Sequence, residues 1–241
     1  YAYDAQNRLT SASVNLDPAS GSSSVYTTTY TYDGTSDRVA SVTQSDGTTL
    51  SFSYVQIGSN YEVASVTDGN GATTTFSYDP GHLQTIVTDG AGNVTTYQYD
   101  TFGNLTNVLT DSTVGSTTTS TPVSRFSYDA SGRVVQAWNA GTVTQYTYTG
   151  VDGPLTAVTQ WQAALGAAAP GSTMLQSQSV YTVAANGKVL TSTIYANPGS
   201  LDGSVAPSGA LTTRNVFDAN GNLVFQISPV GDAIEYVHAS N

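Results

Sequence analysis

The residues of this chain that could do chemistry are two histidines, His82 and His238, seventeen acidic side chains, and a large pool of Ser and Thr hydroxyls. Nucleophilic catalysis at neutral pH needs a base beside the hydroxyl, and His is the usual one. The two histidines fall in different repeats of the pattern described below, with His238 read as standing in a slot that normally holds Asp, and no hydroxyl is marked out as a nucleophile. Hydrolysis of a glycosidic bond needs two carboxyl groups facing each other. The candidates Asp4, Asp33, Asp79, Asp100, Asp129 and Asp218 each precede a turn, where an Asp oxygen caps backbone amides. Calcium is the best of the metal readings, because Asp89-Gly90-Ala91-Gly92-Asn93 and Asp218-Ala219-Asn220-Gly221-Asn222 offer oxygen ligands at alternate positions. Neither stretch has EF-hand or nonapeptide spacing, and ordinary Asp-Gly and Asn-Gly turns account for both, so the expectation is no cofactor and no catalysis. Asn93-Val94-Thr95 and Asn104-Leu105-Thr106 are glycosylation sequons, which matter only in a secreted eukaryotic protein.

These acidic positions belong to a phrase, aromatic-x-Tyr-Asp, then a turn, then an apolar residue, that recurs through the chain. Clear copies open at Tyr1 (YAYDAQNRL), Tyr30 (YTYDGTSDRV), Phe76 (FSYDPGHL), Tyr97 (YQYDTFGNL) and Phe126 (FSYDASGRV). Eroded copies open at Phe52, Tyr146, Val180 and Asn215, and a tenth begins at Tyr236. The signature positions are Tyr3 and Asp4, Tyr32 and Asp33, Tyr78 and Asp79, Tyr99 and Asp100, Tyr128 and Asp129, and Phe217 and Asp218. Self-similarity at this period predicts residues 1–241 to be a single repeat array in which each unit buries its apolar face against its neighbours.

Within a unit, Phe76-Ser77-Tyr78-Asp79 alternates aromatic with small polar residues, the period of a strand packed on one face. Asp79-Pro80-Gly81 supplies a turn, Leu83 to Thr88 a second strand, and Asp89 to Asn93 a turn into the next strand, Val94 to Tyr99. The fold expected is all-β, built from tandem antiparallel hairpins. Apolar residues of the second strand fall three apart, as in Val39 and Val42, Val63 and Val66, Leu83 and Ile86, Leu105 and Val108, Leu155 and Val158. An odd offset puts them on opposite faces unless a bulge intervenes. Long units expand at Leu16 to Ser24, Asp111 to Thr121, Gln162 to Ser172 and Asn197 to Gly209, which read as tolerated spacers or as loops aligned along one edge for recognition. Gln162 to Ala169 is the one stretch able to wind into a turn or two of helix. Trp138 and Trp161 lie in different units, where they read as packing residues.

Composition closes off other classes. The net charge of −11 repels polyanions, so no nucleic-acid partner is expected. All six basic residues stand in two phased slots: Arg8, Arg38, Arg133 and Lys188 precede the second strand's first apolar residue, and Arg125 and Arg214 precede a unit's opening residue. Residues held in repeat phase answer to the repeat. The first slot also holds Glu62 and His82. Zero cysteines exclude disulfides and thiol chemistry, and no apolar run is long enough to insert into a membrane as a helix. The chain opens on a repeat and ends inside one, which reads as a piece of a longer array.

The phrases YTYDGTSDRV, FSYDPGHLQTIV, YQYDTFGNLTNVL, FSYDASGRVVQAW and NVFDANGNLVFQI resemble the tyrosine-aspartate (YD) repeats of the rearrangement-hotspot (Rhs) family, over essentially the whole chain. The resemblance implies a spiralling strip of hairpins that forms a wall segment of a hollow shell. Such shells enclose a C-terminal toxin in secreted bacterial polymorphic toxins and in Tc toxin complexes, and a related barrel serves adhesion in teneurins. The alternative it leaves is a cell-surface stalk or adhesin whose loop edge binds glycans or another cell. Partners implied are the rest of the chain's own array, an enclosed toxin or effector, and further copies through exposed strand edges. The family's closing and self-cleaving segment has no match here: Ser228-Pro229-Val230-Gly231-Asp232 lacks the leading Asp and another repeat follows it.

Overall fold

A computed structural model describes residues 1–17, 25–114, 117–139, 141–163 and 173–238. These residues form nineteen β-strands and no helix, so the all-β hairpin reading holds. The stretch from Gln162 read as able to wind lies, from residue 164, outside the described residues, as do 18–24 and 115–116 of two insertions.

The chain divides into two compact units, one of residues 1–103 with 108–121, the other of 104–107 with 122–241. The first contains the strands Ala2–Tyr3, Leu9–Asn15, Val25–Tyr32, Val39–Gln44, Thr49–Ile57, Asn60–Thr67, Thr73–Asp79, Gln84–Thr88 and Val94–Tyr99. The second contains Val134–Asn139, Thr142–Tyr148, Leu155–Gln162, Ser177–Val183, Val189–Asn197, Ser208–Phe217, Leu223–Ile227 and Ala233–Glu235. Leu105–Val114 and Thr117–Tyr128 contribute residues to both. Within each unit a strand pairs antiparallel with the strand before and the strand after it.

Strand alternation separates two surfaces. In the first unit Thr31, Ser41, Ser51, Thr67 and Thr73 stand side by side across successive strands. Hydroxyls bond across two of these pairs, between Thr31 and Ser41 at 2.7 Å and between Thr67 and Thr73 at 2.8 Å, and across the neighbouring pairs Thr43 with Thr49 and Ser53 with Ser65. This ladder of cross-strand hydroxyl pairs explains why Thr and Ser dominate the composition. The aromatic residues and the valines opposite them, such as Tyr30 with Val42 and Phe52 with Val66, line the other face.

The odd apolar spacing is resolved by bulges. Tyr30 pairs with Val42 and Tyr32 with Val39, so Ala40 is the extra residue and both valines share the aromatic face. The same shift sets Tyr54 opposite Val63, Tyr128 opposite Val134 and Tyr148 opposite Leu155. One hairpin departs from this. Between Thr73–Asp79 and Gln84–Thr88 the register is unbroken, Phe76 meets Val87, and Ile86 lies opposite Ser77 on the hydroxyl face. Its turn, Asp79-Pro80-Gly81-His82, is one residue shorter than Asp129-Ala130-Ser131-Gly132-Arg133, and Leu83 takes up the left-handed conformation at φ 50°. The second strand accordingly begins at Gln84 instead of Leu83.

Most turns share one geometry at both ends of the hairpins. The Gly132 amide donates to the Asp129 carbonyl and the Asp129 amide to the Arg133 carbonyl, a type I turn closed by a residue in the left-handed region. Asp68 to Ala72, between two repeats, is built identically.

Few side chains are fully buried. Among the described hydrophobic residues only Val143, Trp161 and Leu175 are, with Trp138, Ala163 and Leu201 packed against them. The two tryptophans, in different units of the sequence pattern, thus meet in one cluster. Of the insertions, Asn197–Gly209 is wholly described and is an ordered layer. Leu175 donates its amide to the Gly199 carbonyl, Leu201 donates to Thr173, and Ser200 is buried. That places this insertion over the core cluster as packing.

Gly132 sits at φ 75° with no atom within 4 Å of where a Cβ would stand. Gly132→Ala should therefore cost about 1 kcal/mol of unfolding free energy through backbone strain alone, and Gly132→Asn less, as read by urea denaturation.

Candidate functional site

The residues the repeats hold in phase converge on the joints between successive hairpins. Each bulge sets two residues against one and leaves a carbonyl short of a ladder partner, a costly state for a backbone group. The second tyrosine of the next repeat supplies the donor. Tyr32 Oη donates to the Leu9 carbonyl at 2.7 Å, Tyr54 to Val39 at 2.7 Å, Tyr78 to Val63 at 2.8 Å, Tyr128 to Leu105 at 2.6 Å and Tyr148 to Val134 at 3.0 Å. After the unbulged hairpin the donor changes: the Tyr99 backbone amide donates to the Leu83 carbonyl at 2.8 Å. Tyr3, in the opening repeat, is exposed and pairs with Leu9.

Where the tyrosine is lost, other donors take over. Phe217 has no hydroxyl, and Asn215 Nδ2 donates to the Val189 carbonyl at 3.0 Å. His238 faces the Leu223 carbonyl through Nε2 at 2.7 Å. His238 therefore stands in the tyrosine slot of the tenth repeat and not in the Asp slot, because YVHA aligns on YQYD with His over Tyr. Facing a carbonyl oxygen, that nitrogen is the protonated one.

The signature aspartates are consumed by their own turns. Asp129 Oδ1 accepts the Ser131 and Arg133 amides at 3.0 Å each, and its Oδ2 accepts Arg133 Nε at 2.8 Å. Asp4 does the same with Gln6 and Arg8, Asp33 pairs with Arg38, and Asp79 with His82 Nδ1 at 2.6 Å. Asp100 accepts the Phe102 amide. In the two calcium-like loops, Asp89 and Asp218 accept both the backbone amide and the side-chain amide of Asn93 and Asn222. Those carboxylates are satisfied by the loop itself, and no group of three metal-ligating side chains occurs among the described residues. The bonds from Arg133, led by its side chain, hold the Asp129 carboxyl below its ordinary range, and those from Asn222 do so for Asp218.

The phased cations complete four of the joints. Arg133 lies 4.3 Å from the centre of the Tyr148 ring of the next repeat. It also donates to the Gly153 and Gly150 carbonyls in the next turn at 2.8 and 2.9 Å. Arg8 stacks likewise on Tyr32 at 4.4 Å and reaches the Gly34 carbonyl. Arg38 lies 5.5 Å from Tyr54 and 3.8 Å from Tyr61, and Lys188 lies 4.9 Å from Phe217. One guanidinium thus binds its own repeat's aspartate and the next repeat's ring and turn, which is a staple with both charge-assisted and cation–π components. Sequence phase identified the cations, but not the ring and carbonyls they reach.

Single-chain arrays of hairpins, each tied to the next by a phased Tyr, Asp and Arg, define a tandem β-hairpin repeat protein. The sequence matches the RHS repeat family at residues 62–94 and 81–117. No curated protein matches it in sequence. Among solved structures it is similar to TcdB2–TccC3–Cdc42, at 12% identity over 84% of this chain and 13% of that one, with a TM-score of 0.43. It is also similar to TcdB2–TccC3, at 15% identity over 86% of this chain and 15% of that one, with a TM-score of 0.43. The Tc holotoxin pore of Photorhabdus luminescens matches at 15% identity over 87% of this chain and 14% of that one, with a TM-score of 0.37. The chain spans about a seventh of the length of these proteins.

Tyr54→Phe should cost about 1–2 kcal/mol, because it orphans the Val39 carbonyl, and urea denaturation would read the loss. Gly153→Ala should cost more, since its Cβ would fall 1.6 Å from the Thr149 carbonyl oxygen. The depressed aspartates add stability that is complete above the unfolded carboxyl range and disappears as pH falls through their lowered folded values. Melting temperature should therefore drop as pH falls below about 4, with a shallower drop in Asp129→Asn.

Proposed function

We propose that this chain is a non-catalytic structural wall segment of a secreted bacterial Rhs-repeat protein, and that the longer protein encloses a C-terminal toxin or effector. One observation carries the reading: the recurrent polar residues, from the tyrosine hydroxyls to the aspartates and arginines, are spent on holding one hairpin to the next. Such residues leave no set of groups converging on a substrate. The array 1–241 serves as one continuous repeat tract, with the signature Tyr and Asp residues structural throughout. The hydroxyl ladder gives a broad uncharged surface, and the net charge of −11 favours a cationic cargo over an anionic one.

Cryo-EM of the full-length parent protein tests this. A closed shell with density inside is expected, whereas an open rod presenting its loop edge would overturn enclosure and support a stalk or adhesin. The terminal strands, such as Ala233–Glu235, offer unpaired backbone to further copies. The isolated 241-residue chain should accordingly self-associate with rising concentration in analytical ultracentrifugation.

A further inference from the structure

Three of the chain's aromatic side chains border a surface cleft of about 470 Å³ in the first unit: Tyr78, Tyr99 and Phe102. Its floor and walls also include Ile57, Glu62 and Leu83. The cleft occupies the edge position that an internal cation fills at four other joints. Arg8 covers Tyr32, Arg38 covers Tyr54, Arg133 covers Tyr148 and Lys188 covers Phe217. In the same repeat phase Tyr78 receives Glu62, and Tyr99 receives His82. His82 turns to its own Asp79 and keeps 79% of its side chain exposed. At this cleft the slot brings a carboxylate to Tyr78 and an imidazole to Tyr99, where four other joints bring a guanidinium or ammonium.

A second feature singles out this joint. The third residue of the turn within a repeat is polar in Gln6, Ser131, Asn186 and Asn220 and the smaller Val151 in one other, but here it is an aromatic, Phe102, 89% exposed and lining the cleft. A large apolar side chain in that position offers a surface for an alkyl chain, next to rings and a carboxylate that favour a cation. Burial, then the nearby Glu62 charge, raises the Tyr78 phenol above its ordinary value, which keeps that ring neutral and hydrogen-bonded to Val63.

We propose that the cleft bordered by Glu62, Tyr78, Leu83, Tyr99 and Phe102 is a seat for an arginine side chain supplied by another polypeptide segment. The incoming guanidinium takes the place over the ring that Arg38 and Arg133 hold internally, pairs with the Glu62 carboxylate, and lays its methylene stem against Leu83 and Phe102. No covalent chemistry is involved.

The test is an NMR titration of the 241-residue chain with N-acetyl-arginine amide, and in parallel with N-acetyl-citrulline amide, its neutral isostere. Saturable shifts of the Tyr78, Tyr99 and Phe102 signals by the arginine probe, with none from citrulline, are expected. Glu62→Arg fills the seat from within and should weaken binding about tenfold or more while melting temperature holds or rises. Phe102→Asn, which restores the residue type of the other turns, should weaken it severalfold with the fold intact. Equal shifts from citrulline and arginine, or undiminished binding by a folded Glu62→Arg chain, would overturn the proposal.

Discussion

A carbonyl set free by a β-bulge and answered by a tyrosine one repeat later is the interaction on which the rest of this structure depends. The bulge is needed because the turn and the apolar spacing are out of step by one residue, and only a bulge brings Val39 and Val42 onto the same face as Tyr30 and Tyr32. It leaves a backbone acceptor that no strand of its own repeat serves. Tyr54 serves it from the next hairpin, so the geometry inside one repeat becomes the bond between two. Aspartate and arginine act on the same joint from the turn side, with Arg133 spanning Asp129, Tyr148 and the Gly153 carbonyl.

The exceptions obey the same constraint. At Leu83 the shorter turn removes the bulge, and a backbone amide then suffices where a hydroxyl serves elsewhere. At the joint after Leu155 the slots hold Pro154 and Val183, which bring neither cation nor hydroxyl. The same strand, Leu155–Gln162, carries Trp161, 2% exposed, near its other end, against Val143 and Leu175, with the Asn197–Gly209 insertion laid over the cluster. Apolar burial of a large aromatic side chain thus holds this strand at the end away from the unstapled joint.

Much of this was legible in the residues. Val94–Tyr99 has the strand limits its pattern predicts, and the slot shared by Arg8, Arg38, Arg133 and Lys188 pointed to a role tied to the repeat. The bulge is only one of two solutions open to the sequence, because periodicity shows an offset without saying how the backbone absorbs it. The target of Tyr128, a carbonyl 23 residues earlier, has no sequence signature at all, since any residue supplies a carbonyl. The slot of His238 is hard to read because YVHASN preserves only its first aromatic, and the hydrogen bond to Leu223 fixes the alignment. Trp138 and Trp161 meet through strand pairing across a hairpin, with Trp138 and Trp161 both opposite Val143, which spacing along the chain does not encode.

Because a stapled joint is completed by residues of two adjacent hairpins, the joints contain no ruler. A globular core limits chain length by the volume it can enclose, whereas here a hairpin with its Tyr, Asp and Arg can be copied or removed and the joints that remain are still complete. Repeat number in such a protein is free to drift by duplication, and what sets it must be a boundary outside the repeat itself.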